Sequence, residues 1–186
     1  LTLVVCELAI TTNFLPNAQW NSPYVGQQLA ATGANGVMSW SVSGAPPPSG
    51  ITLNSTGYLS GTPSVVGSFS FVVTGTDAAG CTVGKSLTIV VCNVSLSPSS
   101  IANGNIGQAF SEQINAASTS GAVSWGILSG SLPSGLSLNS SSGLISGTPD
   151  TGGAFSFDVT ATDSNDCSAT RSYTIVICYL TMSPAA

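Results

Sequence analysis

The feature that most constrains this chain is a paragraph of sequence written twice. Residues 48–63 read PSGITLNSTGYLSGTP, and residues 133–149 read PSGLSLNSSSGLISGTP. A second shared phrase follows each, GSFSFVVTGTDAAGC at 67–81 and GAFSFDVTATDSNDC at 153–167. Pro63 and Pro149 are 86 positions apart, and so are Cys81 and Cys167. A period of this length is one small domain per copy, so the chain must be a tandem array in which the same local rules are solved twice.

Inside each copy the hydrophobic period is two. Met38, Trp40 and Val42 share one face of a strand over 36–43, with Ser39 and Ser41 on the other; Val123, Trp125 and Ile127 repeat the pattern. Phe69, Phe71 and Val73 point one way over 68–76 while Ser70, Val72 and Thr74 point the other, and Phe155, Phe157 and Val159 match them, with Asp158 outward. Leu87, Ile89 and Val91 do the same over 85–92. Strict alternation is the mark of a half-buried strand. Further strands are expected near 7–12, 25–31, 51–54 and 58–61. Residues 11–23, with Pro16 and Pro23, read as a loop longer than its counterpart in the second copy, if Gly26 matches Gly107. Ala45–Gly50, with three prolines, must be a connection, since proline cannot donate to a ladder. Seven or so short strands punctuated by turns every ten residues, with no helical period, predict an all-β sandwich.

The run P-S-G-x-x-L-N…S-G-T-P followed by G-x-F-S-F-x-V-T-x-T-D resembles the immunoglobulin-like repeats of bacterial surface proteins, a group related to cadherin-like domains. The resemblance covers nearly the whole chain, twice. It implies two tandem immunoglobulin-like β-sandwich domains in an elongated array, used as spacer or adhesive units on extracellular or cell-surface proteins. The expected domains are 6–92 and 93–178.

Both ends carry fragments of the same pattern. LTLVVC at 1–6 aligns without a gap with LTIVVC at 87–92 and YTIVIC at 173–178, and CYLTMSPAA at 178–186 aligns with CNVSLSPSS at 92–100. Residues 1–5 are therefore expected to be the last strand of a preceding repeat and 179–186 the first strand of a following one. Either the segment continues into a longer array, or its end strands complete neighbouring subunits by strand addition.

Composition narrows the partners. Charged residues make up 5% of the chain, against about 25% in an average soluble domain, and histidine is absent. Lys85 and Arg171 are the only cations and the net charge is −5, so there is no basic footprint for a nucleic acid. No stretch of about 20 apolar residues occurs, so no helical membrane insertion is expected. A surface built from Ser, Thr, Asn, Gln and Gly repels its copies weakly, which suits self-association.

The five cysteines fall into two classes. Cys6, Cys92 and Cys178 end a last strand, whereas Cys81 and Cys167 precede one. Pairing Cys81 with Cys92 would span a strand roughly 20 Å long, when a disulfide needs Cα atoms within about 7 Å. The topology implied by the resemblance places the loop before the last strand at the pole where the chain enters. That joins Cys6 to Cys81 and Cys92 to Cys167, and leaves Cys178 for a disulfide to a neighbouring repeat. Reduced thiols are the alternative; a metal site lacks histidine and any paired CxxC.

Other constellations weigh less. Asp77 and Asp163 match the place where cadherin-like domains hold calcium, but the linker CNVSLSP at 92–98 has no carboxylate, and a turn aspartate capping backbone amides is the plainer reading. Lys85 faces Arg171 in the alignment, so the repeats cannot share a lysine isopeptide crosslink. Sequons at Asn54, Asn93 and Asn139 are possible glycosylation sites. Trp20 has no counterpart in the second copy; it reads either as packing within its own domain or, with Phe14, as a candidate contact for a neighbour or a sugar. The carboxylates are scattered on outward positions, and no Ser or Cys has an activating partner, so neither catalysis nor a cofactor is expected. The leading expectation is a structural repeat of an extracellular filament, stalk or sheath, partnered by copies of itself or by neighbouring repeats. The alternatives are a surface adhesin or carbohydrate-binding module recognising surface glycans, and a spacer within a secreted enzyme.

Overall fold

The computed structural model describes residues 6–179. The segments expected as end strands, 1–5 and all of 179–186 but Tyr179, lie outside the described residues. No helix occurs among the described residues, and the chain divides after Asn93 into two compact units.

The first unit contains β1 (Ala9–Ile10), β2 (Ala18–Gln19), β3 (Gln27–Gln28), β4 (Ala31–Thr32), β5 (Ser39–Ser43), β6 (Ile51–Leu53), β7 (Tyr58–Gly61), β8 (Gly67–Thr76) and β9 (Thr82–Cys92). One sheet has the order β2-β9-β8-β5 and a second β3-β7-β6, while β1 pairs with β4. The second unit repeats this with β10 (Ser95–Ser97), β11 (Gly104–Asn105), β12 (Phe110–Gln113), β13 (Asn115–Ala117), β14 (Val123–Gly130), β15 (Leu136–Leu138), β16 (Leu144–Gly147), β17 (Gly153–Asp163) and β18 (Ser168–Cys178). Its sheets are β11-β18-β17-β14, β12-β16-β15 and β10-β13.

Alternation decides what is buried. Phe71 and Val73 of β8 and Leu87, Ile89 and Val91 of β9 enter one core with Trp40 of the same sheet, together with Leu59, Ile51 and Leu29. Phe157, Val159, Tyr173, Ile175 and Ile177 build the other with Ile145, Ile114 and Trp125. On the outer face, Ser70 and Thr88 sit opposite each other across β8 and β9 with hydroxyls 2.8 Å apart. Ser156 and Thr174 form the same pair at 2.9 Å in the second unit.

The SGTP phrase has a steric cause. Gly61 lies opposite Ile51 in the β6–β7 pairing, and a Cβ at Gly61 would strike the Gly50 carbonyl, just as a Cβ at Gly50 would strike the Thr62 carbonyl. Both glycines have positive φ, at 133° and 93°, and Gly147 and Gly135 reproduce the arrangement. Only glycine permits this approach of two backbones.

The first strand departs from expectation. Instead of one strand near 7–12 followed by a loop, it breaks into two-residue pieces: β1 pairs antiparallel with β4, and β2, inside the segment read as loop, pairs parallel with β9. Pro16 lacks the N–H that a continuous ladder needs, so the chain leaves one sheet there and rejoins the other. The strand expected at 25–31 is likewise split into β3 and β4.

The presumed extra length of this segment also disappears. Trp20 N–H donates to the Cys92 carbonyl at 2.8 Å and Asn21 N–H to Pro63 at 2.9 Å; Ile106 and Gly107 make the same bonds to Cys178 and Pro149. Asn21 has φ 54° and Gly107 φ 72°. The structural partner of Gly107 is thus Asn21, not Gly26, and Trp20 has a counterpart after all, Ile106. Residue identity misled the alignment because Asn and Gly are the two residues that most readily share a left-handed backbone.

Candidate functional site

The turn between β8 and β9 is organised by a carboxylate. Asp77 Oδ1 accepts the N–H of Ala79 and of Cys81, both at 2.9 Å, and Oδ2 accepts that of Asn35 at 2.9 Å. The second unit copies the cage: Asp163 takes the N–H of Asn165 at 2.8 Å, Cys167 at 3.0 Å and Ser120 at 2.8 Å. Both aspartates are buried, which corrects the expectation of uniformly outward carboxylates. A carboxylate belongs inside where backbone donors replace water. The Asn35 amide foremost, with those of Cys81, Ala79 and Gly80, holds Asp77 below the usual carboxylate range against the opposing effect of burial. With its oxygens engaged by amides, Asp77 is a turn cap. No cluster of metal-ligating side chains occurs among the described residues.

The cap places Cys81, which is buried and bonded to Cys6 with a Cα–Cα distance of 5.7 Å. Cys92 and Cys167 are also disulfide-bonded, and Cys178 is an exposed free thiol.

Trp20 and Phe14 are not brought to one place by any described contact. Trp20 is 41% exposed and donates its indole N–H to the Ser64 carbonyl at 3.1 Å, beside the exposed Val65 and Val66. Phe14 is 81% exposed at a recess of about 260 Å³ lined by Thr11, Thr12, Asn13, Gln27, Gln28 and Ala30. Beneath it Lys85 Nζ donates to Asn13 Oδ1 at 2.6 Å and to the Ile10 carbonyl at 3.0 Å, tying β9 to the exit of β1. Sequence reasoning named Phe14 but missed its polar neighbours. The adjacent Gln27 and Gln28, beside an aromatic with only serine at its second-copy position, were the available signal.

Of the sequon residues, Asn54 and Asn139 cap equivalent exposed turns. Asn54 Oδ1 accepts from Thr56 N–H at 3.0 Å and Tyr58 N–H at 2.8 Å, and Asn139 Oδ1 from Ser141 and Ser142 N–H at 3.0 and 2.9 Å. Asn93 is half-buried between β9 and β10.

No curated protein matches the chain. Solved structures similar to it include an endo-fucoidan hydrolase of glycoside hydrolase family 107, at 19% identity and TM-score 0.38, covering 94% of this chain and 29% of that one. The protocadherin GammaB4 extracellular domain is similar at 18% identity and TM-score 0.40, covering 94% and 35%. Protocadherin Gamma B2 extracellular domains 1–5 follow at 16% and 0.41, covering 95% and 40%. The chain thus spans well under half the length of each. The model of the family described as "Putative Ig domain" matches residues 7–92 and again 93–177. With two sandwiches of one topology and two matches covering nearly all of its length, the chain belongs to the Putative Ig domain family, as a tandem pair.

Proposed function

We propose that this tandem pair is a structural repeat segment of an extracellular filament, stalk or sheath, with disulfides that stiffen the boundaries between repeats. The observation that carries the reading is the Cys6–Cys81 bond. Cys6 aligns with Cys92 and Cys178, each the last residue of a closing strand, and lies just before the first family match at residue 7. In this reading residues 1–5 belong to the closing strand of a preceding repeat and 179–186 to the opening strand of a following one. Cys92 pairs with Cys167 by the same rule, and Cys178 serves the next repeat. Copies associate through uncharged Ser/Thr-rich faces or exchanged strands, and the segment carries no catalysis of its own. Disulfides persist in oxidising compartments, which supports an extracellular setting; there Asn54, Asn93 and Asn139 are available for glycan.

Electron microscopy of the native material tests the assembly. Filaments with a regular axial repeat are expected, and separate flexible strings would overturn the reading. Unreduced peptide mapping tests the bridges: a Cys92–Cys167 peptide is expected, and a bond from Cys92 to any other cysteine would sink the boundary assignment.

A further inference from the structure

Phe14 is an aromatic ring that the fold does not use. It is 81% exposed, outside the core of its unit, and stands at a recess whose other walls are Thr11, Thr12, Asn13, Gln27, Gln28 and Ala30. An exposed ring is common on a protein surface, but beside a polar concavity it sets an apolar face next to hydrogen-bonding groups, the combination a ligand site uses.

The hydrogen bonds already made define what remains to be offered. Gln27 Nε2 donates to the Gln28 carbonyl at 3.0 Å, and Gln28 Nε2 to the carbonyls of Leu29 at 3.3 Å and Thr56 at 2.9 Å. Both amide groups are therefore held by their nitrogens, and each keeps an Oε1 acceptor. Asn13 is held from the other end, its Oδ1 occupied by Lys85, which leaves the Nδ2 donors. Thr12 Oγ1 accepts the Ala30 N–H at 2.9 Å and retains its own proton to donate. The lining thus combines fixed acceptors, fixed donors and one apolar ring, with no ionised group among its residues.

We infer that this recess binds a single neutral hexopyranose unit at the end or branch of a glycan. Sugar hydroxyls donate and accept at once, so they match a wall that offers both, and the C–H face of the ring covers Phe14. A charged ligand would find no ionised group in the lining, and the neighbouring Lys85 ammonium already donates to Asn13 Oδ1 and to the Ile10 carbonyl. The volume, about 260 Å³, is below the roughly 300–1,000 Å³ of pockets for drug-sized ligands, and it is enough to seat one ring while the rest of a glycan extends into solvent. The second unit lacks the device. The 86-residue offset that relates Cys6 to Cys92 and Ala18 to Gly104 puts Ser99 and Ser100 where Asn13 and Phe14 stand. One chain therefore contains a site and its control. This inference is independent of the array reading, since a filament can form whether or not its subunits hold sugar.

The test is an NMR titration of the full chain with methyl glycosides of glucose, galactose and mannose, and with glucuronic acid for comparison. We expect at least one neutral glycoside to shift the side-chain amide signals of Asn13, Gln27 and Gln28 saturably, with a dissociation constant on the order of 1 mM. Phe14→Ala should weaken it tenfold or more, Phe14→Trp should restore it, and Trp20→Ala should leave it unchanged. Because Phe14 lies on the surface, an unaltered backbone spectrum will show that the alanine variant is folded. Absence of a saturable response, equal binding by Phe14→Ala, a response centred on Trp20, or binding of the uronic acid alone would each overturn the assignment.

Discussion

Replacing Cys6 and Cys81 together by alanine removes a covalent link between residues 75 positions apart. In the chain-entropy account, the bond stabilises the fold by denying the unfolded chain its freedom, and a closed loop of that length corresponds to about 4.5 kcal/mol at 25 °C. The bridge encloses every strand of the first unit except β9, so nearly the whole unit gains freedom on unfolding when it is cut. For a domain of under 100 residues the loss amounts to a fall in melting temperature of about 20–30 °C. With a urea slope of about 2 kcal/mol per molar, the midpoint moves down by about 2 M. Tryptophan fluorescence isolates the unit in a Trp125→Phe background, which leaves only Trp20 and Trp40 to report. A rise in the urea slope should accompany the shift, because an unlinked denatured chain exposes more surface. A midpoint displaced by less than about 0.5 M, equivalent to about 1 kcal/mol, would refute the reasoning. It would mean that the denatured unit is confined by something other than the disulfide.

Four further outcomes follow from the same geometry. Asp163→Ala deprives three amides of their acceptor, and Cys167, being buried, cannot recover its bond from water; the second unit should lose about 2–4 kcal/mol in urea denaturation. Leu59→Ala empties a wholly buried position of the first core and should cost about 2–5 kcal/mol by the same assay. Phe14→Ala, at an exposed position, should alter stability by no more than about 0.5 kcal/mol. The carboxyls of Asp77, Asp150 and Asp158 all titrate below their ordinary range, held by the Asn35 amide, by the Thr151 and Ser134 hydroxyls, and by the Ser129 and Ser172 hydroxyls respectively. Depressed folded-state values stabilise the fold above the unfolded pKa of about 3.9 and cease to do so as pH falls through them, so melting temperature should hold steady from neutrality to about pH 4 and drop below it. A decline already complete at pH 5 would contradict these assignments.

Much of this fold was legible because its rules are local. Phe71, Val73, Phe157 and Val159 announce their burial by alternation alone, whereas the approach of each SGTP glycine to the glycine of the preceding PSG, Gly61 to Gly50 and Gly147 to Gly135, emerges only from the structure. What was not legible depends on contacts between distant residues. Nothing near Ala18 or Gly104 signals a parallel pairing with the end of β9 or β18; only the carbonyls of Cys92 and Cys178 reveal it. Trp20 and Ile106 share no chemistry, yet their main-chain bonds make them equivalent. The recess at Phe14 was half visible. The aromatic stood out, but Gln27 and Gln28 reach it only because β3 runs beside the exit of β1.

The facing hydroxyls of Ser70 and Thr88, and of Ser156 and Thr174, have one more consequence. In each pair either oxygen can serve as the donor. Opposed lysines and glutamates would give these sheet faces a fixed electrical sense that salt weakens over about 8 Å at physiological strength. Rotatable hydroxyls give none of their own, so the electrical sense of the second face comes from the Asp158 carboxylate, two residues along β17 from Ser156. A row of such groups can reverse its dipoles by bond rotation, so it has no head and no tail. On the first unit's face the Ser70–Thr88 pair thus sets no electrical preference between a parallel and an antiparallel approach, and leaves that choice to shape.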